Sequence, residues 1–295
     1  MENMKDGKLL VLALIVLFAA CSSAPSKPAE IFTDRNLAAG QLDMANKTAN
    51  QGRYQDALIV LEEARRLAIG ADDPALRIKT AISRGNIYFS MGRHGEAFKD
   101  WESAAVEGDA AGQGNLAALA RIYTARGRLV LNSPEFRAGL SVEEIRNQIQ
   151  GEISLINKDD QALAMGWMVL GLAEKELERY IEAESAARRA LAIHEKGLFL
   201  EEAAYDWYLI ASIRSVSEQY AAALEALATA IGFDRRAENG FGLASSWQAM
   251  GEVYLKNEQP GEAEAAFRRA AEIFRALRLD DAARKAEARL LEIPQ

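Results

Sequence analysis

One cysteine in 295 residues, Cys21, leaves no partner for an internal disulfide. Histidine is nearly as scarce: His94 and His194 stand a hundred residues apart, and no cluster with metal-ligand spacing can be assembled around either. Glycine-rich phosphate loops and nucleophile motifs are absent. Carboxylates abound, but in stretches such as "EEARRL", "AEAAFRRAAE" and "ARKAEARLLE" they alternate with basic residues and read as solvated helix faces. Neither catalysis nor a cofactor is expected from this inventory. Positive charge is also in short supply. Lys and Arg number 35 against 43 Asp and Glu, giving a net charge of −8 and a pI near 5.1. Nucleic acid, which needs a basic surface, is excluded as a partner. No apolar run reaches the ~20 residues a transmembrane helix requires.

What the sequence does have is a period. Trp167, Trp207 and Trp247 recur every 40 residues, and each opens the same small pattern. If the small residue four positions later is taken as an anchor, six copies follow: Ala45, Gly85, Ala120, Gly171, Ala211 and Gly251, at steps of 40, 35, 51, 40 and 40. Twelve residues after the anchor stand Ala57, Ala97, Ala183, Ala223 and Ala263, and seven further stand Ala64, Ala104, Ala190, Ala230 and Ala270. Only the third copy breaks the rule. Small residues at fixed offsets are what two helices of a hairpin need to approach closely. The bulk sits four before the anchor, as tryptophan in the last three copies alone, so the C-terminal half is expected to be the better packed.

The last copy is the clearest: Trp247, Met250, Gly251 and Tyr254, then Ala263, Phe267 and Ala270. In spacing and residue type it resembles the tetratricopeptide repeat (TPR), a helix-turn-helix unit. The resemblance implies an all-α fold, a right-handed α-solenoid of about six hairpins over residues 34–278, with a capping helix over 279–295. The common TPR repeats at about 34 residues. The longer period here resembles the extended repeats of kinesin light chains, and is assigned to helices longer by roughly a turn. No proline stands near the ends of the second helices, as helices that run on require. In the third copy, "GRLVLNSPEFRAGLSVEE" inserts a loop, and Ser141 with Glu144 reads as a capping box for the helix that follows. Asp280 or Asp281 is the expected cap of the final helix. His94 occupies the slot of Tyr54, Tyr180 and Tyr220 and should pack. His194, among Arg and Glu late in a second helix, is expected at the surface.

Residues 9–20 form an apolar run of twelve, preceded by Lys5 and Lys8 and followed by Cys21. This length suits the core of a signal peptide, residues 1–20. "LFAAC" resembles a bacterial lipobox, although Phe18 stands where leucine is usual. The resemblance implies a diacylglyceryl group on Cys21, cleavage before it, and a lipid-anchored protein of a bacterial envelope. Two or three acyl chains anchor stably, at ~0.8 kcal/mol per buried methylene. Ser22 and Ser23, in place of an aspartate, favour the outer membrane with the chain facing the periplasm. The Ser/Pro/Ala stretch within 21–33 reads as a tether.

For a TPR-like scaffold the resemblance places binding on the concave face, lined by first-helix residues. In the fourth copy these are Met165, Met168, Leu172 and Lys175; in the fifth, Tyr205, Tyr208, Ser212 and Ser215; in the sixth, Ser245, Gln248, Glu252 and Lys256. Met beside Tyr makes an adaptable surface suited to capturing a peptide or helix. The same apolar residues could instead only pack between long helices. Asn46, Asn86 and Arg121 share one slot in the first three copies, a polar ladder able to bond a ligand's backbone. Two functions follow: an envelope-anchored scaffold for protein or peptide partners, or an accessory lipoprotein of an outer-membrane assembly, pilus, secretion or transporter complex.

Overall fold

A computed structural model of the chain describes residues 33–157 and 160–293. The apolar run, Cys21 and the tether up to residue 32 lie outside the described residues. Among those described there are fourteen helices and no strand. In chain order they are α1 (Thr33–Asn50), α2 (Tyr54–Gly70), α3 (Pro74–Ser90), α4 (His94–Ala110), α5 (Gly114–Leu131), α6 (Pro134–Arg137) and α7 (Val142–Leu155). Then come α8 (Asp160–Glu176), α9 (Tyr180–Gly197), α10 (Leu200–Val216), α11 (Tyr220–Ala237), α12 (Gly240–Lys256), α13 (Pro260–Ala276) and α14 (Asp280–Leu291). Residues 34–295 form one unit.

The helices pair as the anchor register requires. Hairpins are α1–α2, α3–α4, α5–α7, α8–α9, α10–α11 and α12–α13, with α14 packed on α13 as a cap. Except for α6 and α7, the hairpin helices run 17 or 18 residues, the lengthening that the 40-residue period called for. All six anchors are buried, and so are the alanines twelve and nineteen positions after them. The reason for small residues is steric. A methyl group at Gly171 would stand 3.1 Å from the Ala183 carbonyl, and one at Gly85 would stand 2.5 Å from Trp101 Nε1.

The turns obey a period the sequence reading missed. A residue with positive φ recurs every twenty positions: Gly52, Asp72, Gly92, Gly112 and Asn132, then Glu178, Leu198, Glu218, Glu238, Glu258 and Arg278. Around most of them the N–H of the next residue reaches the carbonyl five back, as in Gln219 to Arg214 at 2.8 Å and Gln259 to Tyr254 at 2.9 Å. This is the Schellman closure, which satisfies otherwise orphaned helix carbonyls. It feeds straight into the next helix, so most N-termini lack a side-chain cap. Asp73, Ser141 and Asn239 are exceptions, and Ser141 with Glu144 forms the full capping box. The final helix is not capped by an aspartate: Leu279 is its N-cap, and Asp280 and Asp281 lie in its first turn, where they oppose the helix dipole's positive end.

The largest continuous core runs from Ile122 to Ala266, while the first two hairpins carry smaller clusters. The three periodic tryptophans pack against it from its edge without being fully enclosed. Trp167, Trp207 and Trp247 are half-buried at the rim, where Arg189 lies 4.6 Å over the Trp167 ring and Trp207 Nε1 donates to Glu195 at 3.3 Å. The fully buried tryptophan is Trp101, on α4, seated where Gly85 and Gly127 leave room. It belongs to an aromatic group with Phe89, Phe98, Tyr123 and, at its edge, His94 and Phe136. His94 therefore packs as its slot implied.

Candidate functional site

Each first helix turns one edge inward, and because successive hairpins rotate, these edges come to surround a common interior. A cavity of about 460 Å³ is walled by residues of α1, α3, α5, α8, α10 and α12. Its polar wall includes Asn46, Asn86 and Gln161, and its apolar wall Leu116, Leu119 and Met165. The solenoid also closes on itself: Asn50, at the end of α1, donates its side-chain amide to Glu201 at the start of α10, 151 residues away. A methyl at Gly52, in the α1–α2 turn, would meet the Leu279 side chain at 3.3 Å.

A second cavity of about 320 Å³ lies between α10 and α12. Tyr208, Ser212, Gln248 and Glu252, four of the residues expected to bind a partner, line it together with Ser215, Ser245 and Lys256. Tyr205 does not line it. Its ring stacks on Tyr208 with centroids 6.1 Å apart, and the guanidinium of Arg126, from α5, lies over the Tyr205 ring at 5.5 Å from its centroid. Burial raises the Tyr208 hydroxyl pKa, with Tyr205 nearby adding to it. Glu252 accepts two hydrogen bonds from Arg289 of the cap, both at 2.6 Å. The serines accept weakly from lysines: Ser212 from Lys175 at 3.2 Å and Ser215 from Lys256 at 3.4 Å.

Two expected residues of the fourth copy sit elsewhere. Met168 is 4% exposed within the main core and presents no surface. Helical spacing put it on the inward edge, but α8 has neighbours on more than one side, so one turn of that edge is covered. Leu172 is half-buried against the same core, leaving Met165 as the one that reaches the inner cavity.

His194 corrects a further expectation. It is 1% exposed, its Nδ1 lies 2.6 Å from Asp206 Oδ2, and its Nε2 has no hydrogen-bond partner. The signal was in the register. The slot 23 after the anchor holds Ala68, Gly108, His194, Asp234 and Phe274, every one buried between hairpins. Forty residues on, Asp234 repeats the arrangement, taking hydrogen bonds from Asn239 at 2.9 Å and Ser246 at 3.4 Å. Burial pushes the Asp234 carboxyl up to about 7 and that of Asp206 to about 6, the bonds from Asn239 and His194 pulling the other way. Among the described residues no three His, Cys, Asp or Glu side chains are grouped to hold a metal, and no helix is long and apolar enough to cross a membrane.

The sequence model of the tetratricopeptide repeat family matches residues 244–276, which span most of α12 and all of α13. No curated protein matches the sequence. Solved structures similar in fold include a Rap protein complexed with competence and sporulation factor, 14% identical, TM-score 0.57, over 87% of this chain and 74% of that one. Another is the Cut9–Hcn1 hetero-tetramer of the APC/C, 16% identical, TM-score 0.53, over 84% of this chain and 42% of the other. A third is BtubC (BKLC) from P. vanneervenii, 15% identical, TM-score 0.51, over 82% and 92%. Residues 244–276 match the tetratricopeptide repeat, and the helical hairpins stacked around them make this chain a helical-repeat protein with the fold of a TPR-type α-solenoid.

Proposed function

We propose that this chain is a non-catalytic scaffold that holds a protein or peptide segment along its concave face, and that a lipid on Cys21 anchors it to a bacterial envelope, at the outer membrane and facing the periplasm. One observation carries the binding reading: all six first helices contribute to the walls of the inner cavity. A surface of that construction is continuous, partly apolar and studded with amides able to pair with a peptide backbone. Similarity of fold to a Rap protein solved with competence and sporulation factor supports it. The anchor rests on residues 9–20 and Cys21 of the sequence.

Crosslinking in intact envelopes followed by mass spectrometry tests the first part. Asn46→Ala combined with Gln161→Ala, in the wall of the inner cavity, should reduce partner yield without changing helicity, whereas charge reversal of Arg268 and Arg269, exposed on α13, should leave it intact. If the convex charges prove decisive and the groove pair silent, concave binding is refuted. For the anchor, Cys21→Ser should abolish acyl labelling and release the protein from membranes. Labelled, membrane-bound Cys21→Ser protein would refute it.

A further inference from the structure

One end of the inner cavity is built from hydrogen-bond acceptors. Glu201 and Glu202, in the first turn of α10, stand in its wall beside His194 from the last turn of α9. In the tautomer that donates Nδ1–H to Asp206, Nε2 is a lone-pair acceptor. That atom is buried and has no partner in the fold, and neither has Asp206 Oδ1. A buried polar atom without a partner costs free energy, so one held rigidly in a cavity wall points to a donor that arrives from outside.

The carboxylates tell the same story. Burial first, and Glu202 beside it second, push the Glu201 carboxyl up to about 7; the Asn50 hydrogen bond and the more distant Lys47 only partly offset this. Asp234 on α11 senses the same charge. Of the remaining ionisable groups on the wall, Asp43 adds a carboxylate and Lys79 an opposing cation. Beside Glu201, the charge of Glu202 adds to the effect of burial, and Lys47 only partly offsets it.

We propose that this end of the inner cavity seats an alkylammonium or guanidinium group, held by Glu201 and Glu202, with His194 Nε2 accepting one of its N–H bonds. The inference deepens the concave-binding reading and rests on it: the cation is a basic side chain of the segment in the groove. A free polyamine has the same chemistry, and the test separates the two.

The full chain is titrated calorimetrically with acetyl-Ala-Arg-Ala-Ala-amide, with its citrulline counterpart, and with spermidine, at pH 7 in two buffers of different ionisation enthalpy. The arginine peptide should bind at least about tenfold tighter than the citrulline peptide, the difference expected for a charge-assisted bond. It should also release protons, because the arriving cation ionises Glu201, and that release should vanish at pH 9. Glu201→Gln should abolish the release and remove at least about tenfold in affinity. Glu218→Gln, on an exposed turn, should change neither. Equal binding of the two peptides overturns the cation seat while leaving concave binding standing. Spermidine binding tighter than the arginine peptide upholds the seat and overturns the basic side chain as its occupant. No binding by any probe overturns the seat.

Discussion

Replacing Trp101 with alanine measures what the α3–α5 core is worth. The side chain is fully buried, lies against Phe89, Phe98 and Tyr123, and donates its Nε1–H to Asn86 Oδ1 at 3.1 Å. An indole buries about 200 Å², which at ~25 cal/mol per Å² is about 5 kcal/mol. The methyl that alanine retains lowers this to ~4 kcal/mol, inside the ~3–5 range seen when aromatic sites are emptied. Leaving Asn86 Oδ1 without its donor adds about 1 kcal/mol. Trp207, less completely buried, should lose ~2–3 kcal/mol on the same area scale. A solenoid need not unfold in one step, so both variants are followed by urea titration with amide hydrogen exchange resolved by helix. Trp101→Ala should loosen α3, α4 and α5 and leave α10–α13 protected. Trp101→Phe, which keeps most of the volume and loses the bond to Asn86, should recover all but ~1–2 kcal/mol. A loss in Trp101→Ala no greater than in Trp207→Ala would refute the assignment of the core to Trp101.

Glu218 holds φ of 62° at a helix-ending turn, and glycine there should stabilise by ~0.5–1 kcal/mol, since a left-handed conformation costs a side-chain-bearing residue ~1–2 kcal/mol and glycine loses part of that gain to backbone entropy. An unchanged or lowered urea midpoint in Glu218→Gly would contradict the turn assignment. Asp234 has its folded carboxyl raised from 3.8 to about 7, so the fold prefers it protonated. Its contribution to stability is full below pH 3.8 and is lost as pH climbs through 7. Asp234→Asn, still able to meet Asn239 and Ser246, should therefore match the parent near pH 4 and exceed it at pH 8 in denaturant titrations. Parallel pH profiles for parent and variant would rule this out.

The hairpin register was legible in the sequence because it is enforced locally. Two helices joined by a short turn can touch closely only where Ala or Gly faces Ala or Gly, so the ladder from Ala45 to Gly251, with its partners at twelve and nineteen, had to be written at fixed spacing. The capping box at Ser141 is likewise a matter of four consecutive residues. The twenty-residue turn period was hidden, because glycine marks it at Gly52, Gly92 and Gly112 while glutamate holds the same backbone at Glu178, Glu218, Glu238 and Glu258. Other features have no local cause. Met165 and Met168 are one turn apart on one helix and equally apolar, yet only the packing of α8 against its neighbours makes one a cavity wall and the other core. His194 reads as a surface residue on its own helix and is buried by the next hairpin through Asp206. The contact of Asn50 with Glu201 depends on the rotation accumulated over three intervening hairpins. Each repeat sets only a small angle to the next, and what the interior of the superhelix brings together is the sum of those angles, which no single repeat contains.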